Sequence, residues 1–289
     1  LREKKHLVKL KFWGARGSVP TPGYKYIKYG GNTACVEIRF DDELVIIDAG
    51  TGIRELGLEL AKEAGIKKKP VKCNILISHT HWDHIHGFPF FVPAYIPGSE
   101  INIYGGHTVS GLEDLLNGQM EKEYFPVGMG ELAAKINVFT LEDNPFILND
   151  KIIIKWVHLF HPGLCLGFRL EYKSKVIVYA TDTELFQSPE MANVNIENML
   201  KFIHNADILI FDGQYTIKEY LLNKVGWGHS AIEEVVELAL KGGVKHLFTF
   251  HHDPLHDDDF IEKTITNVNV HQDKGLFVSA AREGLEIVL

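Results

Sequence analysis

Runs of β-branched and aromatic residues recur along the whole chain, over residues 6–13, 34–40, 44–47, 73–77, 101–104, 152–157, 166–172, 176–180, 208–211, 246–250 and 285–288. In the second run Val36, Ile38 and Phe40 alternate with Glu37 and Arg39, the two-residue period of a strand with one buried face. Lys173 and Ser174 separate two runs by the length of a hairpin turn. Apolar residues at three- and four-residue spacing predict helices over 53–64, 112–121, 196–204, 231–240 and 260–268. For the fourth helix, Ser230 stands as an N-cap with Glu233 three positions on, a capping box, and Gly242-Gly243 is the stop. Strands come first without helices and then mixed with them, in both halves. This order predicts an α/β fold, a four-layer αβ/βα sandwich in which two mixed β-sheets pack face to face with helices outside. No linker, repeat or low-complexity stretch intervenes, so residues 1–289 read as one domain.

Composition narrows the class. With 45% hydrophobic and 24% charged residues, 26 Gly and 11 Pro, the chain is neither disordered nor collagen-like. Thirty Lys+Arg against 38 Asp+Glu give a net charge of −8, which disfavours sequence-independent coating of nucleic acid. No stretch reaches about 18 apolar residues, so no membrane span is expected. Residues 1–6 are charged with no apolar run behind them, and read as no export signal. Cys35, Cys73 and Cys165 are odd in number, far apart and set in apolar runs, where cysteine acts as a small buried hydrophobe. A reduced, cytoplasmic chain is the expectation. The unusual count is histidine, at 15, and the placement of these residues carries the chemistry.

The decisive segment is His79-Thr80-His81-Trp82-Asp83-His84, which comes after the strand 73–77 and Ser78. Three imidazoles and a carboxylate crowded at a strand end point to a bound cation. His79 and His81, two apart on an extended turn, can face one centre; Asp83 and His84, where the chain turns, can face a second. One short motif cannot fill two coordination spheres, so further donors are expected at other strand ends. They are present as His161 in His161-Pro162-Gly163, Asp182 in Ala180-Thr181-Asp182-Thr183, and His251-His252-Asp253-Pro254 after the strand 246–250.

This set resembles the metallo-β-lactamase superfamily, whose signature is His-x-His-x-Asp-His at a strand end, then His, Asp and His in that order. Ile46-Ile47-Asp48-Ala49-Gly50-Thr51-Gly52 is similar to the family's early strand–Asp–Gly turn, and the likeness spans roughly the whole chain. The resemblance implies that His79, His81 and His161 hold one metal, that Asp83, His84 and His251 hold the other, and that Asp182 bridges them. Imidazole and carboxylate donors without thiolate suit zinc first, with manganese, iron or nickel as alternatives. Two ions about 3.5–4 Å apart lower the pKa of a bridging water, which becomes the nucleophile at neutral pH. Adjacent residues at a strand end point opposite ways, so either His251 or His252 ligates. The family's ligand comes directly after the strand, which favours His251 and leaves His252 to line the cleft against substrate or to hydrogen-bond behind the ligands. His161 is preferred to His158, which lies inside its strand. His6, His86, His107, His204, His246, His256 and His271 read as surface or packing residues.

Gly226-Trp227-Gly228-His229-Ser230, ahead of a helix, a strand and the last metal histidine, resembles the ribonuclease Z and cyclic-phosphodiesterase branch. In that branch this histidine protonates the leaving oxygen, help that a phosphodiester needs because its alkoxide departs poorly near pH 7. That makes His229 the candidate general acid, with Asp212, at the end of the strand 208–211, either to orient it or to hydrogen-bond behind the metal ligands. Phe12-Trp13-Gly14-Ala15-Arg16-Gly17-Ser18-Val19-Pro20 and Gly30-Gly31-Asn32-Thr33 look like the branch's opening, with Arg16 as a phosphate contact. Two departures matter. Asp212-Gly213-Gln214-Tyr215 stands where ribonuclease Z proteins carry His-Glu-Ala-Thr, and 20 residues separate His161 from Asp182 where bacterial-type enzymes place a long tRNA-gripping arm. Residues 105–141 are longer than a minimal connection. Gln119-Met120-Glu121 with Tyr124-Phe125-Pro126 are candidates to roof a cleft or stack a base, with packing the stronger expectation.

These readings converge on a dinuclear metal-dependent hydrolase, a phosphodiesterase for small or cyclic phosphodiesters working through a metal-bridging hydroxide. Its catalytic residues would be His229, Asp83 and Asp212, with no stable nucleic-acid complex and no membrane partner. The acidic surface and residues 105–141 are compatible with a homodimer face. The alternatives are a metal-dependent acyl hydrolase for a lactone, thioester or lactam, a di-iron redox or sensing protein, and a non-catalytic scaffold. Antibiotic resistance is poorly supported without an export signal, the redox reading lacks a flavin partner domain, and the scaffold reading sits badly with a full ligand set.

Overall fold

The computed structural model describes residues 8–106, 110–185, 189–268 and 275–289, with side chains described outside 189–195. In chain order the strands are β1 (Val8–Gly14), β2 (Cys35–Phe40), β3 (Glu43–Ile47), β4 (Lys72–Leu76), β5 (Glu100–Gly105), β6 (Lys135–Thr140), β7 (Phe146–Leu148), β8 (Ile152–His158), β9 (Leu166–Tyr172), β10 (Lys175–Ala180), β11 (Ile208–Asp212), β12 (His246–Phe250), β13 (Phe277–Ala280) and β14 (Glu286–Val288). The helices are α1 (Gly52–Lys67), α2 (Trp82–Ile85), α3 (Leu112–Gly118), α4 (Pro189–Ile203), α5 (Ile217–Asn223), α6 (Ile232–Lys241) and α7 (Asp258–Val268). None of the described helices is long and apolar enough to cross a membrane.

The chain forms two compact units. The first comprises Leu1–Ala15, Asn32–Glu142 and Arg282–Leu289, the second Arg16–Gly31 and Asp143–Ala281. In the first unit the sheet runs β14-β1-β2-β3-β4-β5-β6, antiparallel up to β3 and parallel from β3 to β6. β1 alternates buried and half-buried side chains, whereas β4 is buried from Cys73 to Leu76, as a central parallel strand should be. Ile53, Leu56 and Leu60 of α1 pack with Ile46, Ile75 and Ile101 of the sheet. Each such aliphatic side chain contributes about 1.5–3 kcal/mol when fully buried. Asn74, Asn102 and Asn137 are in register across β4, β5 and β6 and pass amide hydrogen bonds of 3.1 and 2.8 Å along the row.

The second unit repeats this plan. Its sheet runs β13-β12-β11-β10-β9-β8-β7, parallel from β13 to β10 and antiparallel from β10 to β7. Val178, Leu209, Phe211 and Leu247 of the sheet meet Val235, Val236 and Ala239 of α6 and Phe202 and Ile203 of α4. β9 and β10 form a hairpin closed by Lys173 and Ser174, with Tyr172 opposite Lys175. Two mixed sheets flanked by helices are the expected fold class. In both, the parallel strands end at the turns that bear the candidate site residues, as ligand-binding loops of open α/β sheets do.

Several local expectations are corrected. β6, β7 and β13 are not legible as strands in the sequence: β6 and β7 lie at one side of their sheets with mixed exposure, and β13 is only four residues long. Ser230 does not cap α6. The cap position is Ala231, the Ser230 hydroxyl donates to the Thr183 carbonyl at 2.6 Å, and Glu233 accepts from the Ile217 amide at 2.8 Å. The capping box sits on α5, between Thr216 and Glu219. Met120 is buried in the first unit's core and Phe125 packs on it, while Tyr124 is exposed. Cys35, Cys73 and Cys165 are all buried free thiols, and burial pushes Cys73 up to about 12.

Candidate metal centre

In the first unit the donors are set by the turn after β4. The chain leaves the sheet at Ser78, extends through His79 to His81, and turns into α2, which carries Asp83 and His84. His79, Asp83 and His84 are buried and His81 is exposed. The imidazoles of His79 and His81 lie 4.5 Å apart between ring centres, those of His79 and His84 4.1 Å. His84 Nδ1 lies 2.8 Å from Asp48 Oδ2, and its Nε2 is 3.3 Å from Asp83 Oδ2. Asp48, fully buried at the end of β3 with φ of 61°, also accepts the Ser78 amide at 2.7 Å and its hydroxyl at 2.8 Å. His79 Nδ1 is 3.1 Å from Ser78 Oγ. The sequence alone places Asp48 in a family-like turn without a site role; the buried carboxylate orienting His84 becomes visible only in the fold.

In the second unit four turns converge. Asp182, after β10, and His251, after β12, both take left-handed backbone conformations, with φ of 57° and 60°. His251 Nε2 lies 3.1 Å from Asp182 Oδ1 and His161 Nε2 3.8 Å from the same oxygen. His161 Nδ1 donates to the Gly228 carbonyl at 3.0 Å, and His251 Nδ1 is 3.0 Å from Gln214 Oε1. Gln214 also donates to Asp253 Oδ2 at 3.2 Å and is a second residue whose part the sequence does not reveal. It occupies the segment where the ribonuclease Z motif departs. His229 stacks on His251 with ring centres 4.9 Å apart, and its Nδ1 lies 2.7 Å from Asp212 Oδ2. One donor atom from each of His161, Asp182 and His229 lies within 4.8 Å of the others, as does one from each of Asp212, His229 and His251. Two glycines allow this convergence. A Cβ on Gly17 would fall 2.2 Å from the His251 ring, and one on Gly228, at φ of 83°, 2.4 Å from that of His161.

The two candidate substrate contacts both lie buried. The Arg16 side chain is fully buried and donates to the carbonyls of Gly30, Asp253 and His256 at 2.9, 3.2 and 2.6 Å, so its described partners are backbone. His252 is buried as well, with Nε2 2.9 Å from the Ala281 carbonyl. Burial and then the Arg16 charge push it down to about 3, and its described hydrogen bond is to backbone behind His251. Among the remaining histidines, His86, His158 and His204 are exposed, His246 stacks on Phe248, and His256 stacks on Phe260. His6, His107 and His271 lie outside the described residues.

The donor set fits divalent metal. It consists of imidazole nitrogens and carboxylate oxygens, and the Nδ1 atoms of His79, His84, His161 and His251 each meet an oxygen that orients the ring. Such outer partners are what orient metal-ligating histidines, leaving Nε2 as the ligand atom.

Comparison with known proteins agrees. Residues 44–252 match the model of the beta-lactamase superfamily domain, and the chain belongs to that family. It is a metal-dependent hydrolase of that fold. The ribonuclease Z of Picrophilus torridus is 26% identical, over 96% of this chain and 94% of the relative. The metallo-beta-lactamase fold protein YhfI from Bacillus subtilis superposes with a TM-score of 0.69 at 19% identity, covering 99% of this chain and all of that one. A diphosphatase from the PhnP family gives 0.65 at 18% identity, covering 98% and 97%.

Proposed function

We propose that this protein is a phosphodiesterase of small or cyclic phosphodiesters, with His79, His81 and His161 on one metal ion, Asp83, His84 and His251 on a second, and Asp182 shared. Zinc is the first choice for both, and the buried free cysteines support a reducing, cytoplasmic setting. When bound, the ions supply Lewis acidity toward the phosphoryl oxygens and a water of near-neutral pKa. The observation that carries the reading is the His229–Asp212 pair at 2.7 Å, stacked against a ligand-type histidine. As the acid the ring is an imidazolium whose Nδ1–H is held by Asp212, which fixes its tilt. Nε2 is the atom that holds the proton and passes it to the departing alkoxide. Acyl transfer from a lactone or thioester does not require such a donor, which ranks that rival lower.

A second reading is cleavage of an RNA phosphodiester, favoured by the ribonuclease Z relative at 26% identity. Against it stands the segment between His161 and Asp182, which is the β9–β10 hairpin with a two-residue turn and leaves no length for an RNA-gripping arm. The test is metal analysis joined to turnover of bis(p-nitrophenyl) phosphate, cyclic nucleotides and a tRNA precursor. About two metals per chain and metal-dependent release from the small diesters are expected. Cleavage of the precursor alone would establish the RNA reading, and thioester or lactone turnover without diester turnover the acyl one. His229→Ala is expected to keep its metal and lose about 10²–10⁴ in rate on an unactivated diester.

A further inference from the structure

Glu184 is buried two residues beyond Asp182 and has no part in the ligand set or the proton donor. Its carboxylate nonetheless collects three donors. Oε1 accepts from the Tyr220 hydroxyl at 2.6 Å and from the Gly226 amide at 2.7 Å; Oε2 accepts from the Gly228 amide at 2.9 Å. The two amides flank Trp227, so Gly226-Trp227-Gly228 wraps one carboxylate as a backbone nest, with glycine at φ of 83° on both sides. Hydrogen bonds to an ionised acceptor are about twice as strong as neutral ones, and a buried carboxylate that lost them would be left badly solvated.

The other ends of this turn are tied to the same place. The Glu184 amide donates to the Phe160 carbonyl at 2.9 Å, next to His161. The Thr183 carbonyl accepts the Ser230 hydroxyl at 2.6 Å, next to His229, and the Thr183 amide donates to Asp212 at 3.2 Å. The segment 182–184 therefore carries Asp182 at one end and grips the His229 loop at the other. That loop is otherwise exposed at its tip: Val225 and Trp227 are half in solvent, and only from Gly228 onward is it buried.

We propose that Glu184 is a positioning residue, which sets the distance of His229 from the reacting phosphorus by anchoring the Gly226–Gly228 backbone to the Asp182 turn. The inference rests on His229 being the proton donor. A loop that slipped by about 1 Å would keep its histidine and its fold while costing about 10²-fold in rate. The loss would fall on the step that needs the proton and spare the step that does not.

The experiment compares methyl phenyl phosphate with methyl p-nitrophenyl phosphate on the zinc-loaded protein. The phenoxide benefits from a proton as it leaves and the nitrophenolate departs without one. Glu184→Gln is expected to lower kcat about 10²-fold on the phenyl ester and less than about tenfold on the nitrophenyl ester, with KM and zinc content unchanged. His229→Ala should show the same split, and the double variant should lose nothing beyond His229→Ala alone. An equal loss on both esters, or loss of zinc, in Glu184→Gln would make Glu184 a merely structural residue and overturn the inference. If His229→Ala itself shows no split, the proton-donor reading fails and the inference falls with it. Glu184→Asp, which keeps the charge but withdraws it by one methylene, carries the same comparison if the glutamine variant does not fold.

Discussion

At the residue scale, the side chains that would touch metal and those that aim them differ in how they show in a sequence. Imidazoles and carboxylates at the density of residues 79–84 stand out because few other arrangements tolerate them. Asp48, Glu184 and Gln214 do not stand out, since a carboxylate or amide in a loop is ordinary until its partners are known. Asp48 is the sharpest case, holding both Ser78 and His84. Asp48→Asn is expected to weaken zinc binding by about 10–100-fold, read by competition with a chromophoric chelator. Arg16 is ambiguous for the opposite reason: a guanidinium beside glycines serves a phosphate or backbone carbonyls with the same atoms. Having three carbonyls as partners, Arg16→Lys should cost about 2–3 kcal/mol in denaturant unfolding while KM for the diester stays unchanged. A raised KM with unaltered stability would instead establish the phosphate contact.

Among elements, the legible ones are those whose burial is one-sided or complete. α6 shows in the sequence through its buried face of Ile232, Val235, Val236 and Ala239, and it ends at Gly242-Gly243 as expected. Its start is harder to place because Ser230 and Glu233 satisfy the capping pattern in sequence but spend their hydrogen bonds on Thr183 and Ile217. The first turn of α6 holds a conflict as well. A helix N-terminus favours anions, yet burial, with the Glu233 charge next, pushes Glu234 up to about 7 from an ordinary 4.5. The folded state therefore prefers the protonated acid. The stability this gives is complete below about pH 4.5 and is lost as pH rises through 7. Glu234→Gln should match the parent at pH 5 and exceed it at pH 8 by about 1 kcal/mol, a figure set well below full linkage because the group is only half-buried. Thermal melts at the two pH values decide it, and equal shifts at both would show that the charge is indifferent.

For the whole molecule, the class of fold is readable because both sheets mix antiparallel and parallel strands in sequence-contiguous blocks, so strand-rich and helix-alternating stretches succeed each other twice. The full width of each sheet is not. β7 is an apolar run of only three residues, and β6 alternates from Lys135 to Val138 before Phe139 breaks the pattern, so pairing with β5 and β8 is what marks them as strands. Chelation is the measurement that belongs to this scale. The histidines and carboxylates gathered after β3, β4, β10 and β12 are polar groups brought into poor solvent, and a cation that binds only the folded chain stabilises it by about 4 kcal/mol at a thousandfold excess over its Kd. The zinc-loaded protein should melt several degrees above the chelated one, and zinc, but not magnesium, should restore the loss. Identical melting curves would count against metal at these residues.

The short β9–β10 hairpin bears on where the chain tolerates added length. Its turn, Lys173-Ser174, is exposed and joins two strands whose pairing is already complete at Tyr172 and Lys175. Loop-closure entropy grows only logarithmically with length, by about 0.6 kcal/mol per doubling. Extra residues at that turn would therefore cost the fold little and leave both strands paired. The same insertion in the buried turns that carry the histidines and carboxylates would displace their side chains, so tolerance to added length is concentrated at this one point of the hairpin.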